Sequence, residues 1–239
     1  MPQQLDDCTQ GTWSGYGSEE IPPDAPSDLQ RALGELYAIS RQIRVSCDTY
    51  YLFKAITQRR AFVEVVSGSP IAYSMRIVAG AVSRDLVISL ASVFDADERA
   101  INLRRVINKL LHPNHIKIFR HFHATWPVPP DTDAGIAKLS RWQDRMKRGK
   151  LSEAIQRVID LRKKAIAHVD LAPEFKNGPL KVWEVEYALA GATSAVLVAN
   201  HFATGRWIDA SQIRKNSRKA IASLTDVIIA GNMLHKHEV

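Results

Sequence analysis

The sequence predicts an all-α fold, an antiparallel bundle of about six or seven helices. Three observations carry this. Apolar residues recur at three- and four-residue spacing through most of the chain beyond residue 27, the period of one helix face. The breaks between such stretches are short and marked by proline or glycine. The one alternating stretch, Val182-Trp183-Glu184-Val185-Glu186-Tyr187, has no partner strand, so it reads as a helix start.

Residues 1–27 combine Gly11, Gly15, Gly17, Pro22, Pro23 and Pro26 with acids and few aliphatics, a mixture that buries too little to offset its ordering entropy. They are expected to form a disordered acidic leader, and residues 28–239 a single α-helical domain. Ser27 or Asp28 is placed to cap the first helix, in which Leu29, Leu33, Leu36, Ile39 and Ile43 recur on one face as far as about Arg60. Ser67-Gly68-Ser69-Pro70 separates it from a more apolar, central helix through Ile77, Leu86, Leu90 and Val93. Asp95-Ala96-Asp97-Glu98 ends that helix, and a short one follows from Ile101 to Leu111, where Pro113 prevents its continuation. Another is expected from Ile116 to Trp126, before the linker Pro127-Val128-Pro129-Pro130. From Thr132 a helix runs through Leu139 and Trp142 to a break at Gly149. Leu151, Ala154, Ile155, Val158, Leu161, Ala165 and Ile166 then mark the best-defined helix, to about Val169. Pro173 and Asn177-Gly178-Pro179 precede an apolar segment, 180–202, and Gly205 precedes a last helix of about 210–234.

The chain has 239 residues, 46% hydrophobic and 24% charged, enough for one sizeable core. No stretch holds the roughly 20 uninterrupted apolar residues of a membrane span, and residues 1–27 have neither the positive start nor the apolar block of a signal peptide. A cytoplasmic protein without membrane attachment is expected. Cys8 and Cys47 are too far apart and too few for a disulfide framework or a four-ligand zinc site. All 32 Lys and Arg lie beyond Asp28 and meet 19 of the 25 acids there, so residues 29–239 carry +13 against −6 on residues 1–28. Such a body attracts polyanions such as RNA through a field that salt weakens, and the same charge also serves as plain solvated surface.

The string Leu161-Arg162-Lys163-Lys164-Ala165-Ile166-Ala167-His168-Val169-Asp170 places an arginine and a histidine six positions apart at a helix end. They differ by about 240° in azimuth and roughly 9 Å along the axis, within reach of a long guanidinium arm. Histidine gives or takes a proton near neutral pH, whereas arginine stays charged and grips phosphate oxygens with a planar fork. Together they suit RNA cleavage without metal or other cofactor. The 2′-hydroxyl attacks the adjacent phosphate, the His168 imidazole assists proton transfer and Arg162 stabilises the developing charge. The spacing also fits a helix-end histidine on a basic face, where cations are favoured anyway.

Arg162 to His168 resembles the Arg-x4–6-His motif of the HEPN superfamily, all-α bundles that are often metal-independent ribonucleases. Ile166-Ala167-His168-Val169-Asp170, the segment from Ser83 to Asp95 and Ile101-Asn102-Leu103 resemble the abortive-infection, AbiU-like branch, in which a central helix ends in a Leu/Phe-Asp pair before a short helix. The likeness spans roughly residues 30–235. Lys163 departs from the Asn, Asp or His common after the arginine. The resemblance implies an HEPN-like bundle acting as a toxin-like or phage-defence endoribonuclease, with catalytic Arg162 and His168 from two protomers lining one cleft at a homodimer interface. A toxin-like role also leaves room for a cognate antitoxin. Two imidazoles at a two-fold interface repel, which favours one charged and one neutral near pH 7. The alternative is a catalytically silent adaptor that binds RNA or a protein through its basic faces.

Lys163 and Lys164 beside the motif, and Arg141, Arg145 and Arg148 in the densest basic run, are the candidate RNA-binding residues. Trp142 among them suits base stacking or, at helical spacing from Leu139, the core. Arg214, Lys215, Arg218 and Lys219 make a second basic face. His112, His115, His121 and His123 crowd one region, but their spacing faces them apart and no cysteine completes a metal set, so they are expected as solvated residues beside Lys117 and Arg120. Arg84-Asp85 in the central helix is expected as an ion pair between helices. No glycine-rich phosphate loop is present.

Overall fold

The computed structural model describes residues 25–95, 97, 100–126, 129–167, 181–205 and 210–237, with the backbone alone at 164–167, 210–214 and 231–237. Among these residues there are nine helices and no strand. In chain order they are α1 (Ser27–Gln58), α2 (Arg60–Ser67), α3 (Ala72–Phe94), α4 (Leu103–Leu110), α5 (Pro113–Ala124), α6 (Thr132–Lys147), α7 (Lys150–Ala167), α8 (Val182–Thr204) and α9 (Ala210–His237).

Four long helices form a ring in which α1 packs on α3, α3 on α7, α7 on α8 and α8 back on α1. Each contributes a stripe at helical spacing. Leu29, Leu36, Ile39 and Ile43 of α1, Leu86, Leu90 and Val93 of α3 and Leu151, Ala154 and Val158 of α7 are all buried in one core cluster. The last helix of the ring uses small residues, Ala188, Ala192, Ala195 and Ala199, which let neighbouring helices approach closely. At Gly191 a Cβ would stand 2.5 Å from Leu151 Cδ1, so the missing side chain sets the α7–α8 contact. Short α4 packs between α1, α6 and α8, with Leu103, Val106, Ile107 and Leu110 all fully buried. A second cluster, Ile56, Phe62 and Val66 with Met75, Ala79, Val82, Ile228 and Ile229, joins α1, α2, α3 and α9.

Local chemistry sets the element ends. The first helix stops at Gln58, just short of the expected Arg60, because Arg59 turns extended and α2 restarts directly after it. The Asn102 side chain caps α4 by accepting from Arg104 N at 2.8 Å and Arg105 N at 3.2 Å. Pro113 opens α5 at the first helical position, where its missing N–H costs nothing. The α6–α7 turn passes through Gly149 at φ +78°, and α8 ends at Gly205 at φ +69°. Gly205 also lies against the Trp126 ring, where a Cβ has no room.

Val182 to Tyr187 is the first turn and a half of α8, as expected. Two expectations are corrected. Arg84 and Asp85 are both exposed, and neither has a partner among the described residues, because α3 turns this face away from its neighbours among them. His115 and His123 are buried rather than solvated, while His112 and His121 are exposed. The two buried rings point inward from α5 because each finds polar partners there. His123 Nε2 donates to the Phe202 carbonyl at 2.8 Å and Nδ1 accepts from the Thr132 hydroxyl at 2.8 Å, inside an aromatic cluster of Phe119, Phe122, Trp126 and Phe202. His115 lies 2.7 Å from the Lys109 carbonyl and 3.0 Å from Asp28 Oδ2.

Candidate functional site

Two arginines tie α7 into the ring. Arg157 lies 3.4 Å from Glu184 of α8, in a pair with side chains only 19% and 11% exposed. One and a half turns later Arg162 reaches across to α3, where its Nη1 donates to Asp95 Oδ2. The Arg162 side chain is 30% exposed and Asp95 22%, so the pair lies at the surface edge of the α3–α7 seam. This position follows from the sequence locally. Leu151, Ala154, Val158 and Leu161 turn one face of α7 into the core, and Arg162, the next residue, lies about 100° away at its margin. Asp95 is the residue at which α3 gives way to extended backbone, and its free end is fixed twice: Asn102 donates to its carbonyl, and Asp95 Oδ1 accepts from Asp97 N at 3.1 Å.

A guanidinium carries five donors in one plane. Asp95 engages one of them, and the others have no partner among the described residues. Among the described residues the carboxylate therefore orients the fork while leaving its other donors for a second anion. Lys163 beside it is exposed, and Lys164 lies in the following helical backbone. His168 lies outside the described residues, so the geometry of the Arg162–His168 pair does too.

The other candidate residues lie elsewhere on the same helical hairpin. Arg141 and Arg145 are on α6 and Arg148 is in the turn before α7; all three are exposed. Arg162 lies about 18 Å along the α7 axis from Lys150, so within one chain Arg145 and Arg148 do not converge on it. Arg145 stacks over the Trp142 ring with its guanidinium carbon 4.4 Å from the centroid, and Arg148 stands 3.7 Å from Asp144. Trp142 packs partly buried against the main core.

Sequence reasoning missed two features. One is Asp95 as the partner of Arg162: both stand in the two motif-bearing stretches, but nothing in a linear sequence relates residues 67 positions apart. The other is a polar cluster between α1 and α8, in which Tyr50 OH donates to Glu186 and Lys54 Nζ lies 3.0 Å from the same carboxylate. Burial and the hydrogen bond to Glu186 push the Tyr50 hydroxyl up to about 12, and the bonds from Tyr50 and Lys54 hold the Glu186 carboxyl below its ordinary range. Neither group is poised for proton transfer near neutral pH, so the cluster serves as a brace. No group of three or more His, Cys, Asp or Glu able to hold a metal ion occurs among the described residues.

A family model described as HEPN_AbiU2 (AbiU2) matches residues 27–205, about three quarters of the chain, and bears out the resemblance carried by the two sequence blocks. No curated protein and no solved structure matches.

Proposed function

The chain belongs to the AbiU2 family of HEPN proteins, and on that premise we propose that it is a metal-independent endoribonuclease of the toxin-like, phage-defence kind, its active site shared by two protomers. The observation that carries the reading is the held arginine. Asp95 fixes one edge of the Arg162 guanidinium at the rim of the α3–α7 seam, six residues before His168, and leaves donors for a phosphate.

In the proposed reaction Arg162 binds the non-bridging oxygens of one phosphodiester. A neutral His168 takes the proton of the 2′-hydroxyl as that oxygen attacks phosphorus, and Arg162 stabilises the charge that builds in the pentacovalent transition state. The bond to the 5′-oxygen breaks, and the protonated imidazole of the second protomer supplies the proton to the leaving oxygen. The products are a 2′,3′-cyclic phosphate and a 5′-hydroxyl. Lys163, Lys164, Arg141, Arg145 and Arg148 hold RNA by its backbone without choosing sequence.

The test is RNA cleavage in EDTA by wild type, Arg162→Ala and His168→Ala. Wild type is expected to leave 2′,3′-cyclic phosphate ends and both variants to lose at least about a hundredfold in rate. Equal activity in all three removes the assigned chemistry. One observation favours the second reading, a silent RNA- or protein-binding adaptor: Asp95 neutralises Arg162 and braces α3 against α7. That reading expects salt-sensitive RNA retention without cyclic phosphate ends.

A further inference from the structure

The last helix lies beyond residues 27–205, so the family match does not extend to what α9 builds against α1. Between these two helices lies a cavity of about 390 Å³, and a smaller one of about 180 Å³ adjoins it and reaches α8. Tyr51, Lys54 and Arg218 line both. Ala55, Ile221 and Ala222 give the larger cavity an apolar wall.

Among the described residues that line the larger cavity are three cations and no acid. Two of the three charges are answered from the ends of the groove. Arg59 Nη2 stands 2.6 Å from Asp226 and Nη1 donates to the Ala222 carbonyl at 3.2 Å, which ties the end of α1 to α9. Lys54 donates to Glu186 at 3.0 Å and to the Tyr50 hydroxyl at 3.2 Å, which leaves the third of its three N–H groups. Arg218 differs from both. Its guanidinium carbon lies 5.2 Å from the centroid of the Tyr51 ring, and the group has no hydrogen bond or ion pair among the described residues. Contact with the ring holds the fork by its face and leaves the donors along its edge open. Tyr51 and Lys54 are three residues apart on α1, hence neighbours on one side of that helix, so the ammonium and the fork flank the same turn.

We propose that this groove binds a small organic phosphate monoester, its phosphate held between Arg218 and Lys54 and its body lying on Ala55, Ile221 and Ala222. A phosphate offers three terminal oxygens, two for the planar fork and one for the ammonium, whereas a carboxylate is used up by the fork alone. The larger cavity has the volume of a small-molecule site, with a mostly apolar wall and a few polar groups to fix orientation. A polynucleotide fits worse. Continued along the groove in either direction its backbone meets a carboxylate, Glu186 at the α8 end and Asp226 at the Arg59 end. A monoester keeps its charge in the cationic middle. The lining residues belong to α1, α8 and α9, so the site is separate from the α3–α7 seam and does not depend on the nuclease reading.

The test is isothermal titration of the full chain with phenyl phosphate, inorganic phosphate and phenylacetate, with circular dichroism to show that each variant folds. Phenyl phosphate is expected to bind with a Kd of about 1 mM or tighter, and the other two at least about fivefold more weakly. Arg218→Ala should weaken phenyl phosphate by about tenfold or more, and Arg218→Lys, which lacks the fork, should not restore it. Ile221→Ser should weaken phenyl phosphate and leave inorganic phosphate unchanged. Overturning results are no binding of phenyl phosphate, equal binding by Arg218→Ala, or phenylacetate bound as tightly as phenyl phosphate. Retention on immobilised single-stranded RNA should differ by less than about twofold between wild type and Arg218→Ala, and RNA cleavage should match. RNA retention lost in Arg218→Ala, with no binding of phenyl phosphate, makes the groove an RNA contact and overturns the proposal. Phenyl phosphate bound as described by a protein that cuts no RNA leaves this site standing and removes only the nuclease.

Discussion

Arg162 and Arg148 stand at opposite ends of one helix and differ in what holds them. Arg148, 80% exposed, lies loosely 3.7 Å from Asp144, one turn back on its own hairpin. Arg162, 30% exposed, is seized by a carboxylate from another helix, and that carboxylate is itself held by the backbone around it. Attraction of a polyanion needs only charge, and the α6–α7 turn supplies plenty of it. Stabilising a transition state needs a charge whose direction is already settled, which comes from burial and a distant partner. On the proposed reading, charge density along the sequence is a poor guide to where the chemistry lies.

The largest break in that contrast comes from Arg162→Ala. Cleavage of RNA should fall by at least about a hundredfold while retention on immobilised RNA changes little. Next, Asp95→Ala leaves the guanidinium at the seam without its anchor. A loss of about 1–2 kcal/mol in urea unfolding is expected, together with a slower cleavage step at saturating RNA. Stability unaltered by Asp95→Ala would mean that the pair is not holding α3 to α7.

The buried histidine of α5 sharpens the same distinction away from the site. Burial lowers the His123 pKa from its ordinary 6.5. As pH falls through about 6.5 the unfolded chain therefore takes up a proton that the fold does not, and stability drops until the lowered folded value is passed. His123→Gln should flatten the urea midpoint between about pH 7 and 5. The smallest effect belongs to the exposed cations. Changing Arg141, Arg145 and Arg148 together to Ala should weaken RNA binding at low salt and reduce the salt slope, by about 0.7 for each phosphate of a single strand that is no longer neutralised. The cleavage rate of bound RNA should barely move.

Much of the fold is legible because helices announce themselves locally. Leu151, Ala154, Ile155, Val158 and Leu161 fall on one face by spacing alone and are all buried. Gly149 and Gly205 mark helix ends where the chain indeed takes positive φ. What spacing cannot convey is which helices meet. The α1–α2 break at Arg59 lies within a continuous apolar period, the burial of His115 and His123 depends on partners in other segments, and the exposure of Arg84-Asp85 depends on how α3 packs among the described residues. The site divides likewise. Arg162 is recognisable from its motif, whereas the role of Asp95 emerges only when two helices are laid side by side.

Single-turnover cleavage in EDTA, at saturating RNA, by Arg162→Lys beside the Arg141, Arg145 and Arg148 triple variant tests the central claim most directly. Lysine keeps the charge and discards the planar fork. The account predicts at least about a hundredfold loss for Arg162→Lys and a rate within about threefold of wild type for the triple variant. Wild-type speed in Arg162→Lys, or a collapse confined to the triple variant, would contradict it.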